Sequence, residues 1–348
     1  MPSTTLVGYS NLALYSAMAV FTVAMLLFAF HLAALEPVVE AHEAVGARKH
    51  RGRRSRELVN VGSASAARVS SGALADAVTA VRADADGGQP PATPRARKLG
   101  GIALSLSWLG TFILIASVVM RGLAVMRPPW GNMFEFATAG CAALALAYCA
   151  LARRRQWEWL GLFVIGPVLL TLGLAMFAFY TDAAELMPAL KSVWLVIHVT
   201  VAFLSVAVFT IGFSVGIVYL VKLRREATAT ADGPVRRSFM ESLPTAASLE
   251  RTAYGLNMVG FILWTFTLVA GAIWAQKAWS SYWTWDPKEV WTFVVWVVYA
   301  AYMHARATAG WEPRKAMWIA LAGYVCILLN FTVVNLFFTG LHSYSGLK

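Results

Sequence analysis

Charge is scarce in this chain. Only 14% of its 348 residues are Asp, Glu, Lys or Arg, and 59% are hydrophobic. An ordinary soluble domain carries about 25% charge, so that class is excluded. Cysteine is rarer still. Cys141, Cys149 and Cys326 all lie inside apolar runs, and none belongs to a C-x-x-C pair. That excludes a thioredoxin-like redox site and a cysteine zinc site. No C-x-x-C-H sequence is present, so the chain does not carry a covalently attached haem of its own. The N-terminus lacks the basic stretch of a cleavable signal peptide, and the first apolar run is long enough to span a bilayer.

What is abundant is apolar length. Runs of about 20 residues recur, each enough to cross roughly 30 Å of hydrocarbon as a helix. The expected fold is an all-α integral membrane protein of about eight transmembrane helices. The runs predict helices near 9–34, 101–122, 133–152, 158–180, 192–221, 254–275, 289–308 and 317–339. The organisation expected is a first transmembrane helix over 1–34, a linker over 35–100, and a seven-helix domain over 101–348. The linker is rich in Ala, Arg, Ser, Asp and Pro and holds Arg48, Lys49, Arg51, Arg53, Arg54 and Arg56. With few large apolar residues to bury, it reads as a disordered basic cytoplasmic segment. A basic surface held against anionic lipid is the alternative.

The net charge of +11 is a matter of orientation rather than of nucleic acid, which is not an expected partner. If the linker is cytoplasmic, alternation of the spans gathers 23 of the 29 lysines and arginines on that side. Both termini are then extracytoplasmic, as is the stretch Trp274–Trp291, "WAQKAWSSYWTWDPKEVW".

That stretch holds five of the 14 tryptophans. Aromatic rings gather at membrane interfaces in any case. Trp274, Trp279, Tyr282, Trp283, Trp285 and Trp291 nevertheless crowd one loop, a density suited to gripping a flat apolar ligand. Asp286, Pro287 and Glu289 have the spacing of N-cap, N1 and N3 of a helix, a capping box. The positive end of that helix, with Lys277 and Lys288 nearby, suits a ligand bearing carboxylates.

Six histidines remain. His42 and His50 fall in the linker. His198 enters about 10 Å below the outer surface, and His342 follows the last helix on the same side, so the two flank the tryptophan loop. Neutral imidazoles around an aromatic platform are what the iron of a planar macrocycle needs as axial ligands. His304 lies about 27 Å further in, near the opposite face, with His31 at comparable depth. His31 reads as a packing histidine. A last outer loop, "RPPWGNMFEF", sets Asn132 and Glu135 at the mouth of the third helix. Glu135 is either a first-turn helix acid or a group that orients a ligand or partner.

"WSSYWTWDPKEVW" resembles the tryptophan-rich WWD signature of haem-handling proteins in cytochrome c maturation. The form "WDPKE", followed by "WVVYAAYMHAR" and a C-terminal "GLHSYSG", is similar to the CcsA/ResC branch of System II. "LMPALKSVWLVIHV" and "PPWGNMFEF" resemble segments of the same family. The likeness covers roughly residues 100–348. It implies that His198 and His342 are axial ligands of a haem b under the tryptophan loop, and that His304 serves an inner haem site. It implies a bacterial cytoplasmic-membrane location, a ResB-like membrane subunit, an apocytochrome c substrate and a thiol-reducing, thioredoxin-like protein. The implied activity is the haem-handling half of a cytochrome c synthase. The substrate's own thiols are then the nucleophiles, and the chain supplies no catalytic nucleophile. Two alternatives stay open: a haem exporter or chaperone of another WWD branch, and a bis-histidine electron-transfer cytochrome.

Overall fold

The computed structural model describes residues 4–35, 93–183, 191–229 and 239–342. Among them are eight long helices: α1 (Thr4–Ala33), α2 (Pro94–Ala124), α3 (Met133–Arg155), α4 (Gly161–Ala178), α5 (Val193–Ala229), α6 (Ala246–Trp279), α7 (Pro287–Ala307) and α8 (Pro313–Phe331). A short helix, α9 (Val333–Phe337), follows a break at Thr332. No strand occurs among the described residues. Seven of the eight are long and apolar enough to cross a membrane. The exception is α7, whose 21 residues span about 31 Å. Trp291, Trp296, Tyr299, Tyr302 and His304 lower its hydropathy.

The bundle is built from antiparallel neighbours. α1 packs on α2, α5 on α6 and α7 on α8, while α3 joins α2 and α4 to α5. Aromatic contacts lock the second half together. Phe209 of α5 stacks on Tyr299 of α7 at 3.9 Å between centroids, and Phe213 stacks on Tyr324 of α8 at 4.3 Å. The outside is apolar as well: Leu12, Phe30, Phe112, Ile262 and Phe266 are all exposed. An apolar exterior on a helical bundle is what lipid demands, since helices satisfy their own backbone groups.

Several helices run past their apolar centres. α2 starts at Pro94, seven residues before the hydropathic run, with Thr93 as N-cap accepting from the Ala96 N–H at 3.1 Å. Residues 94–100, the end of the segment expected to be a disordered linker, are therefore helical. α5 is 37 residues long, about 55 Å, and carries Arg224 and Arg225 beyond the membrane-length core. Most of the linker, with His42 and His50, lies outside the described residues. His31 is buried, and its Nδ1 bonds the Ala96 carbonyl at 2.8 Å. It thereby ties α1 to α2, as a packing histidine does.

Candidate functional site

The tryptophan stretch is less of a loop than its sequence suggests. Ala275, Gln276 and Lys277 are good helix formers, and α6 continues through them to Trp279. Ser280 ends it in the left-handed region at φ 60°. Only residues 280–286 are irregular. Within them Trp285 holds φ 61° and is 77% exposed. A bulky residue in that region is strained.

The predicted capping box is present. Glu289 accepts from the backbone N–H groups of Thr284 at 2.8 Å and Asp286 at 3.2 Å, while Asp286 caps the first turn of α7. The Asp286 carboxylate does more than cap. It accepts from the Lys288 N–H at 3.0 Å and the Leu341 N–H at 2.6 Å, and its Oδ2 lies 2.9 Å from the Nδ1 of His342. Burial alone would raise this carboxyl. The His342 hydrogen bond and charge, with the two backbone N–H groups, outweigh burial and hold it below its ordinary 3.8. Gly340 makes this approach possible, because a Cβ there would fall 2.1 Å from the Asp286 Oδ1.

The other histidine is fixed from α6. Its Nδ1 lies 2.9 Å from the Thr267 carbonyl. A Cβ at Gly271 would meet the His198 ring at 2.8 Å, so this glycine gives the imidazole its place. A carbonyl and an ionised carboxylate can only accept, so in both histidines Nδ1–H donates, and in the neutral imidazole Nε2 then carries the lone pair. Neither Nε2 has a hydrogen-bond partner among the described residues.

Both imidazoles line one cavity of about 210 Å³. Each lies close to Trp274, with ring centroids at 6.0 Å for His198 and 5.5 Å for His342. Trp130, Phe136, Trp264, Trp283 and Phe331 contribute further aromatic wall. Of the residues singled out from the sequence, His198, His342, Trp274, Tyr282, Trp283, Lys288, Glu289 and Asn132 meet here. Trp279 stands behind His342 at 4.9 Å between centroids. Asp286 acts through His342, while Trp285 and Trp291 are not among the cavity-lining residues. His304 is exposed at the far end of α7, well away from the cavity.

Glu135 is also absent from the lining. It is fully buried, with Arg121 at 3.1 Å, Arg127 at 2.7 Å and the Gly131 N–H at 2.8 Å. Asn132, its neighbour, is N-cap of α3 and accepts from the Glu135 N–H at 2.9 Å. This clamp sets the 127–132 loop, and with it Trp130 and Asn132, against the cavity. Sequence reasoning missed Trp264, Asn330 and Asn335 as lining residues. The asparagines had a signal: both are polar groups inside the apolar run "LLNFTVVNLFF".

The family described as cytochrome C assembly protein matches residues 130–342, from Trp130 through His342, the first and last residues of the cavity wall. The chain belongs to that family. It is 34% identical to a protein named cytochrome c biogenesis protein CcsA from Parasynechococcus marenigrum, over 70% of this chain and 86% of the relative. A protein of the same name from Synechococcus elongatus is 32% identical over 73% and 90%, respectively. Another, from Prochlorococcus marinus, is 34% identical over 68% and 82%. The chain is thus a multi-pass bacterial membrane protein with a role in cytochrome c maturation, and haem handling comes with that role.

Proposed function

We propose that the chain is the haem-presenting subunit of a System II cytochrome c synthase, and that its cargo, haem b, lies between His198 and His342. The observation that carries this reading is the matched pair of imidazoles. Both line one aromatic cavity, and each has Nδ1–H engaged and Nε2 free. A metal-ligating histidine is characteristically held in this way, with its second nitrogen donating to a carbonyl or carboxylate.

The chemistry asks little else of the chain. Each substrate cysteine adds its S–H across a haem vinyl C=C, so that an S–C bond forms and the thiol proton ends on the adjacent vinyl carbon. No net oxidation or reduction occurs. The chain's contribution is to hold the macrocycle by its iron and faces while an edge stays open to the apocytochrome, which lowers the barrier by positioning. Asp286 keeps His342 in the ligating tautomer and fixes the orientation of its ring. The exposed Tyr282, on the cavity wall, and the exposed Trp285 nearby in the chain suit contact with an unfolded substrate segment.

An inner haem site at His304 belongs to the same proposal. Its exposure on α7 fits completion by another chain, the ResB-like subunit, and a thioredoxin-like protein would keep the substrate thiols reduced. The test is maturation of a reporter cytochrome c in a host that relies on this chain and its partner. His198→Ala and His342→Ala should each lower thioether-linked haem at least tenfold, with partial recovery on added imidazole. Normal maturation in the double variant would sink the proposal.

A further inference from the structure

Among the described residues the cavity wall contains one Lys or Arg, and it makes no ion pair. Lys288 projects from the first turn of α7, and its Nζ donates to the Asn330 carbonyl at 2.8 Å and to the Asn335 Oδ1 at 2.9 Å. Both acceptors are neutral. An ammonium has three N–H donors, so one remains open. The neighbouring acids are taken up elsewhere. Asp286 binds His342, Leu341 and the backbone of Lys288, while Glu289 binds Thr284 and the backbone of Asp286. Among the described residues Lys288 makes no ion pair. A charge withdrawn from water without a counter-ion is costly, and a ligand that brings the opposite charge removes the cost.

A residue of the same wall carries a second unsatisfied donor. The indole Nε1 of Trp130 is buried and has no hydrogen-bond partner among the described residues. Its ring is held edge-on to Phe203 at 6.1 Å between centroids, and the Glu135 clamp fixes the loop that carries it. Lys277, the other basic residue near the tryptophan stretch, is exposed and does not line the cavity. The two open donors therefore come from different elements, the 127–132 loop and α7. An open N–H in an apolar wall selects an acceptor, and an ammonium beside it selects an anionic one.

We propose that Lys288 and the Trp130 indole N–H form a carboxylate subsite of this cavity, which takes one acid side chain of the bound planar ligand. The subsite rests on the haem reading above and gives it a specificity element: the ligand is recognised by an acid group as well as by its iron. It would also fix which edge of the macrocycle faces outward, because an anchored carboxylate removes rotation about the histidine–iron axis.

The test is titration of the purified full chain in detergent with haem and with haem dimethyl ester, followed through the low-spin absorption bands. The ester keeps the ring and the iron but removes both negative charges. Wild type should bind haem about tenfold more tightly than the ester, the scale of one charge-assisted hydrogen bond. In Lys288→Met that ratio should fall to near one with the low-spin bands retained, and Trp130→Phe should reduce it in part. Equal wild-type affinity for the two, with low-spin bands for both, overturns the subsite and leaves the haem site standing. An undiminished ratio in Lys288→Met also overturns it. Failure of wild type to bind either form overturns the haem reading, and the subsite with it. The wild-type comparison stands even if Lys288→Met does not fold.

Discussion

Asp286 shows how much one carboxylate can organise. It starts α7, anchors the backbone of Leu341 and orients His342, so the aromatic segment and the C-terminal histidine share one fastening. Asp286→Asn keeps the shape and removes the charge. It should weaken haem binding by about 10- to 100-fold, the usual cost of losing a group that supports a metal ligand. Unchanged affinity would show that His342 does not bind the iron. The pH dependence follows from the same carboxylate. Its folded pKa lies below its ordinary value. Its contribution is therefore complete above about pH 4 and is lost as pH falls through the folded value. Amide protection in the first turn of α7, measured against the intrinsic exchange rate at each pH, should be high at neutral pH and fall below about pH 4. In Asp286→Asn that acid transition should vanish. The capping role was legible in the sequence, because Asp-Pro-x-Glu carries its own geometry. The fastening to residues 340–342 was not, because nothing local connects positions 55 residues apart.

Elements set the site through a glycine and a buried clamp. Gly271 on α6 yields its side-chain space to His198. Gly271→Ala should therefore displace the imidazole, reducing haem bound at His198 while α6 stays helical by circular dichroism. Full haem occupancy in that variant would mean that His198 is not a ligand. The Arg121–Glu135–Arg127 cluster is the second device. Removing the acid leaves two guanidinium groups close together and buried, so Glu135→Ala should cost about 3–5 kcal/mol. The loss should appear as a lowered unfolding temperature and a weakened hold on Trp130. From sequence, Glu135 could be a helix-capping acid or a ligand-orienting one, since its depth suited both. The partners that decide it, Arg121 and Arg127, come from the end of α2 and the loop beyond it. Element ends were the other illegible feature: hydropathy marks the apolar run, whereas α2, α5 and α6 continue as helices beyond it.

At the scale of the molecule, the apolar runs dictated an eight-helix membrane bundle, and chain order put His304 at the opposite end from His198 and His342. The bundle brings residues as distant as Trp130, His198, Lys288 and His342 around one cavity. Residue spacing alone conveys their shared depth but not their meeting. The distribution of basic residues predicts that this cavity opens on the extracytoplasmic side. A cysteine introduced at Lys277 should react with an impermeant reagent from outside intact cells, and one at Arg154 only after lysis. The reverse pattern would invert the account.

The most direct measurement is the reduced absorption spectrum of the chain purified with its partner subunit, for wild type, His198→Ala, His342→Ala and the double variant. Sharp low-spin bands in wild type, weakened in each single variant, lost in the double and restored by imidazole, are the predicted result. Bands of undiminished intensity in the double variant, or a wild type free of haem while cytochrome c still matures, would contradict the assignment of the cavity.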